Sequence, residues 1–198
     1  IEINETDPQK FVDIVASLEP TFGGINLEDI KAPECFYIEQ ELKKRCKIPV
    51  MHDDQHGTAI ISAAALLNAL EIQKKKIEKV HFVVNGAGAA ATACMRLYAS
   101  LGARPENFFV FDKDGILHSG RTDIPEVQSP FTRDEKFSSW DLTKAMKDAD
   151  VFLGLSVGNV VTADMVKTMA KNPIVFAMAN PEPEIMYDVA KSSRKDLI

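Results

Sequence analysis

The stretch VHFVVNGAGAAATACMRLYASLGA, Val80–Ala103, decides how the second half of this chain folds. Its apolar start, Val80–Val84, predicts a buried strand, and the small-residue run Ala89–Ser100 predicts a helix that follows at once. The turn between them carries the pattern G-x-G-x-x-A, at Gly86, Gly88 and Ala91. A strand, a glycine-rich turn and a helix in this order are typical of a dinucleotide-binding unit.

Each position of this pattern has a physical role. Gly86 permits the tight turn from strand to helix, and Gly88 lets the backbone approach a pyrophosphate, because a Cβ would intrude there. Ala91 lets the helix pack closely on the strand. The helix N-terminus then offers unpaired N–H groups and a partial positive charge to the phosphates. A small-residue helix that merely packs tightly is the alternative, but it does not account for the strand and the acidic residue that follow.

The next strand, Phe108–Asp112, ends in an acidic residue 21 positions beyond Ala91. An acid about 20 residues after the motif usually accepts a hydrogen bond from the ribose 2′-hydroxyl, which assigns this role to Asp112. Taken alone, Asp112 favours NAD, because its charge repels the 2′-phosphate of NADP. Lys113 and Arg121 are close in sequence, and either could neutralise that phosphate. The residues therefore leave the choice between NAD and NADP open.

Strands and helices alternate along the chain. Predicted strands cover residues 1–4, 21–27, 48–51, 80–84, 108–111, 151–155 and 174–177. Predicted helices follow residue 7 and cover residues 33–45, 58–72, 89–100, 142–147 and 163–169. The fold class is α/β: a Rossmann-like, doubly wound, mostly parallel sheet with a small N-terminal α/β attachment. The lysine-rich segment 72–79 marks a boundary, so we predict two domains, 1–75 and 76–198.

Composition restricts the class of partner. The formal net charge of −6 and the pI of about 5.3 argue against nucleic acid and membranes as partners, since both favour basic patches. No apolar run approaches the ~18 residues of a membrane span. The three cysteines include no C-x-x-C pair. They indicate neither a disulfide framework nor a thiolate zinc site, and they fit a reducing cytoplasm.

Two acidic pairs stand where apolar strands end, Glu28–Asp29 and Asp53–Asp54. Ligands bind beyond the carboxyl ends of the strands in an open α/β sheet. Carboxylates that converge there repel one another unless a cation lies between them, and oxygen-only ligation suits Mg²⁺ or Mn²⁺. Taken singly, either aspartate of the second pair could instead cap the alanine-rich helix that follows. The flanking His52 and His56 are possible ligands, although such residues more often serve as hydrogen-bonding groups.

Five segments together resemble the malic enzymes, which are oxidative decarboxylases of malate. In chain order they are NLEDIKAPECF, HDDQHGTA, NGAGAAATAC, FLGLSVG and FAMANPEPEI. The likeness covers essentially the whole chain. It is closest to the bacterial NADP-dependent type, including bifunctional forms fused to a phosphate acetyltransferase-like domain. It implies that residues 1–75 are the C-terminal part of the substrate and metal region, and that residues 76–198 are the NAD(P)-binding Rossmann-like domain.

The resemblance also implies roles for single residues. The implied ligands of Mg²⁺ or Mn²⁺ are Glu28, Asp29 and Asp54. Asp53 would be their neighbour, capping the helix or supporting the ligands. The residues implied to hold the dinucleotide phosphates, beside Gly86, are Ala87, Gly88, Ala89 and Ala90. Asn180 would lie near the nicotinamide and the substrate.

The implied activity is the metal-dependent oxidative decarboxylation of malate to pyruvate and CO₂ with reduction of NADP or NAD. The family's catalytic lysine and tyrosine have no counterpart motif here, and Lys31 does not occupy the lysine's position. Because the chain begins with Ile1, we expect a fragment that carries the cofactor and metal sites without the base and the acid. Such a fragment is expected not to turn over malate on its own. The intact protein is expected to be a cytoplasmic homo-oligomer.

Two other functions fit parts of the sequence. The first is a non-catalytic dinucleotide-binding module, which the lack of a convincing general base in this chain favours. The second is a dehydrogenase of another type, such as one acting on amino acids, but it leaves NLED and HDD unexplained. The first alternative and the enzyme are distinguished by whether the gene encodes the upstream lysine and tyrosine.

Overall fold

The computed structural model describes all of residues 1–198. The chain divides into two compact units, which we call the N-terminal unit, Ile1–Thr58, and the C-terminal unit, Ala59–Ile198. The division lies inside a long helix, whereas the predicted domain boundary lies after residue 75. The assignment of two domains therefore stays a prediction. None of the helices combines the length and the apolar character that crossing a bilayer requires.

The N-terminal unit is a small α/β layer. Its elements are α1 (Pro8–Ser17), β1 (Ile25–Leu27), α2 (Glu34–Arg45) and β2 (Val50–His52). The side chain of Asp7 caps α1, because it accepts hydrogen bonds from the backbone N–H groups of Gln9 and Lys10. The two strands pair in parallel, with Leu27 beside His52. Their acidic neighbours are therefore brought to the same edge.

Helix α3 (Asp53–Ile72) begins directly after β2 and is 20 residues long. The sequence predicted its start at Thr58, five residues too late. The acidic pair Asp53–Asp54 therefore forms the first turn of the helix, where the partial positive charge of the N-terminus favours carboxylates.

The C-terminal unit is built on a five-stranded sheet. Its elements are β3 (Phe82–Asn85), α4 (Ala89–Ser100), β4 (Phe108–Asp112), β5 (Gly115–Ile116), α5 (Leu142–Met146), β6 (Val151–Gly154), α6 (Ala163–Thr168), β7 (Ile174–Ala177) and α7 (Tyr187–Ser193). The strand order is β5-β4-β3-β6-β7, and all neighbours are parallel except the antiparallel pair β4–β5. Because the chain leaves β3 first toward one side and later toward the other, the strand order reverses at the end of β3. The predicted Rossmann-like, mostly parallel sheet is confirmed.

Apolar residues cover both faces of this sheet. Phe82 and Val84 of β3 belong to one buried cluster, which includes α4 and the buried face of α3. Val83 lies between them in sequence and belongs to a second cluster with α5, α6 and α7. The alternation follows from the two-residue period of a strand, and it places a hydrophobic core on each side of the sheet.

One element predicted from the sequence does not form, and two elements of the structure were not predicted. Residues 1–4 form no strand, because no neighbouring strand lies beside them to pair with. Strand β5 and helix α7 were missed. Both are short, and β5 consists of only Gly115 and Ile116, so neither carries the periodicity on which prediction depends.

Candidate functional site

A cleft lies at the carboxyl edge of the five-stranded sheet. It has a volume of about 800 Å³ and is lined by residues that include Asn85 to Gly88, Asp112, Gln128, Trp140 and Ser156. We call it the carboxyl-edge cleft. It brings the glycine turn after β3 together with the acidic end of β4, as the sequence pattern predicted.

Backbone geometry at Gly86 shapes one wall of the cleft. Its φ is +106°, and a Cβ built on it would overlap the carbonyl group of Leu155. Its N–H donates a 2.8 Å hydrogen bond to the carbonyl oxygen of Phe111. Only glycine tolerates both the left-handed backbone and the close approach.

Gly88 leaves room where a ligand could reach the backbone. A Cβ on Gly88 would meet no atom within 4 Å, so the space in front of it is open. Gly88 is also the N-cap of α4, and no side chain caps this helix end. The unpaired N–H groups of the first turn, to which Ala89 and Ala90 belong, are therefore available to an anion. Ala91 is 1% exposed and packs in the core, as expected for the third position of the motif.

Asp112 is paired with an arginine. The Arg121 guanidinium donates hydrogen bonds of 2.9 and 2.7 Å to its two carboxylate oxygens and contacts Asp123 as well. Burial by itself would raise the pKa of the Asp112 carboxyl, but the hydrogen bonds from Arg121 and from the N–H of Asp114 hold that pKa below its usual range. The hydrogen bonds to Asp123 and Asp112 raise the pKa of Arg121. The acidic end of β4 thus carries its own cation.

Gln128 is a residue of the cleft that the sequence did not single out. It lies in the 3₁₀ turn Glu126–Phe131 and is 8% exposed. Its side-chain amide donates a 2.5 Å hydrogen bond to the carbonyl oxygen of Ala87, within the glycine turn. The irregular, polar segment that contains Gln128 offers no periodic signal, so nothing in the sequence marked this contact.

Trp140, the single tryptophan, also lines the cleft. Its ring stacks on Phe109, with centroids 5.2 Å apart and planes 8° from parallel. Asn180, in contrast, is exposed and is not among the residues that line the cleft. It follows β7 in a loop whose Asn180–Pro181 bond is cis.

The second group of candidate residues lies in the N-terminal unit. The backbone N–H of Asp29 donates a 3.0 Å hydrogen bond to Oδ2 of Asp54. Asp29 has a φ of +56°, a conformation that aspartate tolerates better than most residues. The carboxylate of Glu28 accepts a 2.9 Å hydrogen bond from the side chain of Asn26. We call Glu28, Asp29 and Asp54 the acidic site.

A buried histidine lies next to the acidic site. His52 is fully buried, and its Nε2 lies 3.5 Å from Oδ2 of Asp54 without a hydrogen-bond partner. Its Nδ1 lies 3.1 Å from the side-chain nitrogen of Gln55. A buried polar atom without a partner is costly, and here it faces a predicted metal ligand. Nε2 of His56 lies instead 2.8 Å from Oε1 of Glu39, although the angle is not that of a hydrogen bond.

The three carboxylates of the acidic site do not form a closed cage. A set of three acidic ligand atoms, all within 4.8 Å of one another, occurs only at Asp112, Asp114 and Asp123. There the guanidinium of Arg121 already supplies the positive charge. In the acidic site no lysine or arginine forms an ion pair with any of the three carboxylates. Oxygen donors without a protein cation fit a hard divalent ion such as Mg²⁺ or Mn²⁺.

Comparison with known families gives two matches that cover most of the chain. The family model "Malic enzyme, NAD binding domain" matches residues 55–192. The model "Malic enzyme, N-terminal domain" matches residues 2–43.

Individual proteins are similar along the whole chain. The NADP-dependent malic enzyme of Haemophilus influenzae is 56% identical over 100% of this chain and 26% of its own length. The NAD-dependent malic enzyme of Rhizobium meliloti is 48% identical over 99% of this chain and 25% of its own length. A crystal structure of the NAD-dependent malic enzyme from Thermotoga maritima has a TM-score of 0.89 at 43% identity, covering 98% of this chain and 52% of that one. The chain thus spans between a quarter and about half of these relatives.

Proposed function

This chain belongs to the malic enzyme family, and from that premise we propose that the intact protein oxidatively decarboxylates malate to pyruvate and CO₂ with NADP or NAD as the hydride acceptor. The observation that carries the proposal is the presence in one chain of a glycine-lined cleft and a carboxylate cluster with no protein cation. The cleft fits the dinucleotide that this reaction requires, and the carboxylates fit the divalent metal ion.

The carboxyl-edge cleft would hold the dinucleotide. Gly86 and Gly88 expose backbone to the phosphates, with Ala87, Ala89 and Ala90 completing the loop and the first helical turn. Asp112 would face the adenosine ribose. Asn180 is proposed to approach the nicotinamide and the substrate, although it is exposed in the free chain. A bound nicotinamide would supply the hydride acceptor for the oxidation of malate.

The acidic site would hold Mg²⁺ or Mn²⁺ through Glu28, Asp29 and Asp54. When bound, the divalent ion supplies Lewis-acid polarisation of the substrate oxygens. His52 supports this assignment, because its unpartnered Nε2 lies beside Asp54 and could orient that carboxylate. Asp53 lies beside Gly57, one turn further along α3, and its role would be to neutralise the helix N-terminus.

NADP is the cofactor that we propose. Arg121 is mostly buried and its guanidinium neutralises the carboxylate of Asp112. This end of the cleft therefore repels a 2′-phosphate less than a lone aspartate would. The NADP-dependent relative is also more similar than the NAD-dependent one, at 56% against 48% identity.

We further propose that the protein is a cytoplasmic homo-oligomer. Helix α3 carries large apolar side chains that are well exposed, among them Ile60 at 58%, Ile61 at 67% and Ile72 at 68%. Apolar surface of this kind supports self-association. All three cysteines are free and buried, which suits a reducing compartment.

The decisive test is an absorbance assay for the reduced nicotinamide, using full-length protein with malate, Mn²⁺ and NADP, and with NAD in parallel. Turnover that stops when the metal is chelated is the expected result. Dinucleotide binding without turnover would favour the non-catalytic module instead, and the lack of any dinucleotide binding would overturn the proposal.

A further inference from the structure

One carboxylate in the C-terminal unit is buried without a cation. Glu184 is completely inaccessible to solvent and forms no ion pair. The other buried glutamate, Glu39, differs because its carboxylate pairs with Lys43 at 2.7 Å. Burying a charged group costs free energy because the group loses its hydration, so a buried carboxylate needs hydrogen-bond donors that replace the water. The hydrogen-bond donors around Glu184 therefore indicate its role.

Three neutral donors satisfy Glu184. Oε1 accepts hydrogen bonds from the backbone N–H of Ser156, at 2.9 Å, and from its hydroxyl, at 3.3 Å. Oε2 accepts a 3.1 Å hydrogen bond from the backbone N–H of Ala179. Ser156 follows β6 and Ala179 follows β7, so one side chain joins the carboxyl ends of two neighbouring strands.

The network extends to a third strand. Asn85, the last residue of β3, donates a 2.6 Å hydrogen bond to the hydroxyl oxygen of Ser156. Because the single hydroxyl proton of Ser156 points to Glu184, its oxygen is left free to accept from Asn85. The carboxylate, the serine and the amide thus fix one another's orientation. Both Asn85 and Ser156 line the carboxyl-edge cleft.

Two glycines leave the space that Glu184 and its loop occupy. A Cβ built on Gly154 would overlap the carboxyl group of Glu184. Gly158 likewise leaves space for the backbone of Glu182, its would-be Cβ lying 2.8 Å from that carbonyl oxygen. The segments FLGLSVG and FAMANPEPEI, of which the cofactor and metal sites assign a role only to Asn180, are therefore parts of one packed unit.

We infer that Glu184 is a positioning residue: its buried carboxylate holds Ser156 and the backbone that leads into Asn180 in the arrangement that dinucleotide binding requires. This inference rests on the proposed function, because it assigns the cleft to a dinucleotide. Glu184 acts only through these neighbours, since it is sealed from the cleft.

The test is Glu184→Gln in the full-length protein, with Glu182→Gln as the matched control. Glutamine keeps the shape but turns an NH₂ group toward N–H donors, so at least one of the hydrogen bonds is lost. Glu182 lies in the same loop, is exposed and bonds only to the Asn159 side chain. We expect the dissociation constant of NADP to rise about tenfold in Glu184→Gln, the factor that one lost charge-assisted hydrogen bond provides, and to stay unchanged in Glu182→Gln.

Binding is read from the fluorescence of Trp140, the single tryptophan, which lines the cleft. The measurement is made on protein whose circular dichroism shows a folded state. A role in stability alone would lower the melting temperature and leave the dissociation constant of the folded protein as it is. An unchanged constant, or an equal rise in both variants, would overturn the inference.

A double variant identifies the route of the effect. In a Ser156→Ala background, Glu184→Gln should raise the dissociation constant of NADP by a smaller factor than in the wild type, because the two groups act as a unit. If the fold-changes of the two single variants multiply in the double variant, the inference is overturned. Should Glu184→Gln not fold, Ser156→Ala alone decides, since it keeps the backbone N–H that Glu184 binds. It is expected to weaken NADP binding, and no change would overturn the inference. Wild-type protein that binds neither NAD nor NADP would instead refute the proposed function.

Discussion

The carboxyl-edge cleft is built mainly by backbone, whereas the acidic site is built by charged side chains from two segments of the chain. At Gly86 and Gly88 the shape is set by the absence of a Cβ and by an uncapped helix end. In the acidic site Glu28 and Asp29 follow one strand and Asp54 follows its paired neighbour, and the N–H of Asp29 donates a hydrogen bond to the Asp54 carboxylate. The first arrangement needs no charged side chain, and the second contains no lysine or arginine that would balance its negative charge.

This difference has a physical consequence. Backbone N–H groups and a helix terminus keep their dipoles in every state of the protein, so the cleft is preorganised for an anion. Carboxylates without a cation repel one another, so the proposed metal site would need an ion to draw its oxygens together. Substitutions should therefore affect shape in the first region and charge in the second.

The largest effect is expected from Gly88→Val, which tests whether the backbone shapes the cleft. A Cβ at position 88 meets no protein atom within 4 Å and the φ of −77° is ordinary, so the fold should persist. Its methyl groups would occupy the space of the pyrophosphate. We expect the dissociation constants of NADP and NAD to rise at least about 100-fold, as the loss of two phosphate hydrogen bonds would predict.

Calorimetry measures this change. Gly23→Val is the matched control, because Gly23 also has nothing within 4 Å and lies in the N-terminal unit. A Gly88→Val protein that binds dinucleotide as the wild type does would refute the assignment of the loop.

The second effect, on charge, is expected from Asp54→Asn and Glu28→Gln. Both substitutions keep the shape and remove a negative ligand, so the affinity for Mn²⁺ should fall by about tenfold or more, since even residues that only support metal ligands contribute about 10–100-fold. Dinucleotide affinity should not change. A Mn²⁺ titration followed by electron paramagnetic resonance measures the loss, and Glu41→Gln serves as control because Glu41 pairs with Lys44 outside the site. Unchanged Mn²⁺ affinity in both variants would show that the ligands are misassigned.

The smallest effect is expected at Arg121, a charged side chain that lies at the end of the backbone-built cleft. Arg121→Gln leaves Asp112 and Asp123 without their cation and removes a donor for a 2′-phosphate. The ratio of NADP to NAD affinity should fall about tenfold, the value of one charge-assisted hydrogen bond. Arg104→Gln is the control, because Arg104 is exposed and forms no ion pair. Parallel titrations with both dinucleotides measure the ratio. A ratio that does not change would exclude Arg121 from cofactor choice.

Much of the fold could be predicted from the sequence, and the reasons are local. β3, α4 and β4 were placed within two residues, because an apolar run, a glycine turn and a small-residue helix follow one another without interruption. The start of α3 was placed too late, because its first turn, DDQHG, is polar and contains a glycine. The local structure of segments with low periodicity, such as the 3₁₀ turn that contains Gln128, could not be predicted.

The site residues divide in the same way. Gly86, Gly88 and Asp112 were predicted as cofactor-binding residues because their spacing along the chain is itself the signal. The resemblance to a family, rather than any spacing, selected Asp54 over Asp53 and added Asn180. Gln128, Trp140 and Glu184 were missed, since each reaches the cleft or its support from a distant, irregular segment.

By itself, the sequence determined most of the strands and helices, the positions where the backbone is free of Cβ atoms, and the family that the chain resembles. These properties depend on neighbours within a few residues or on a pattern read in order. Only the tertiary structure decided that Arg121 neutralises Asp112 and that Glu184 joins the ends of β6 and β7. Such contacts join residues 5 to 28 positions apart, and they form because the folded sheet brings its strand ends to one edge and excludes water there.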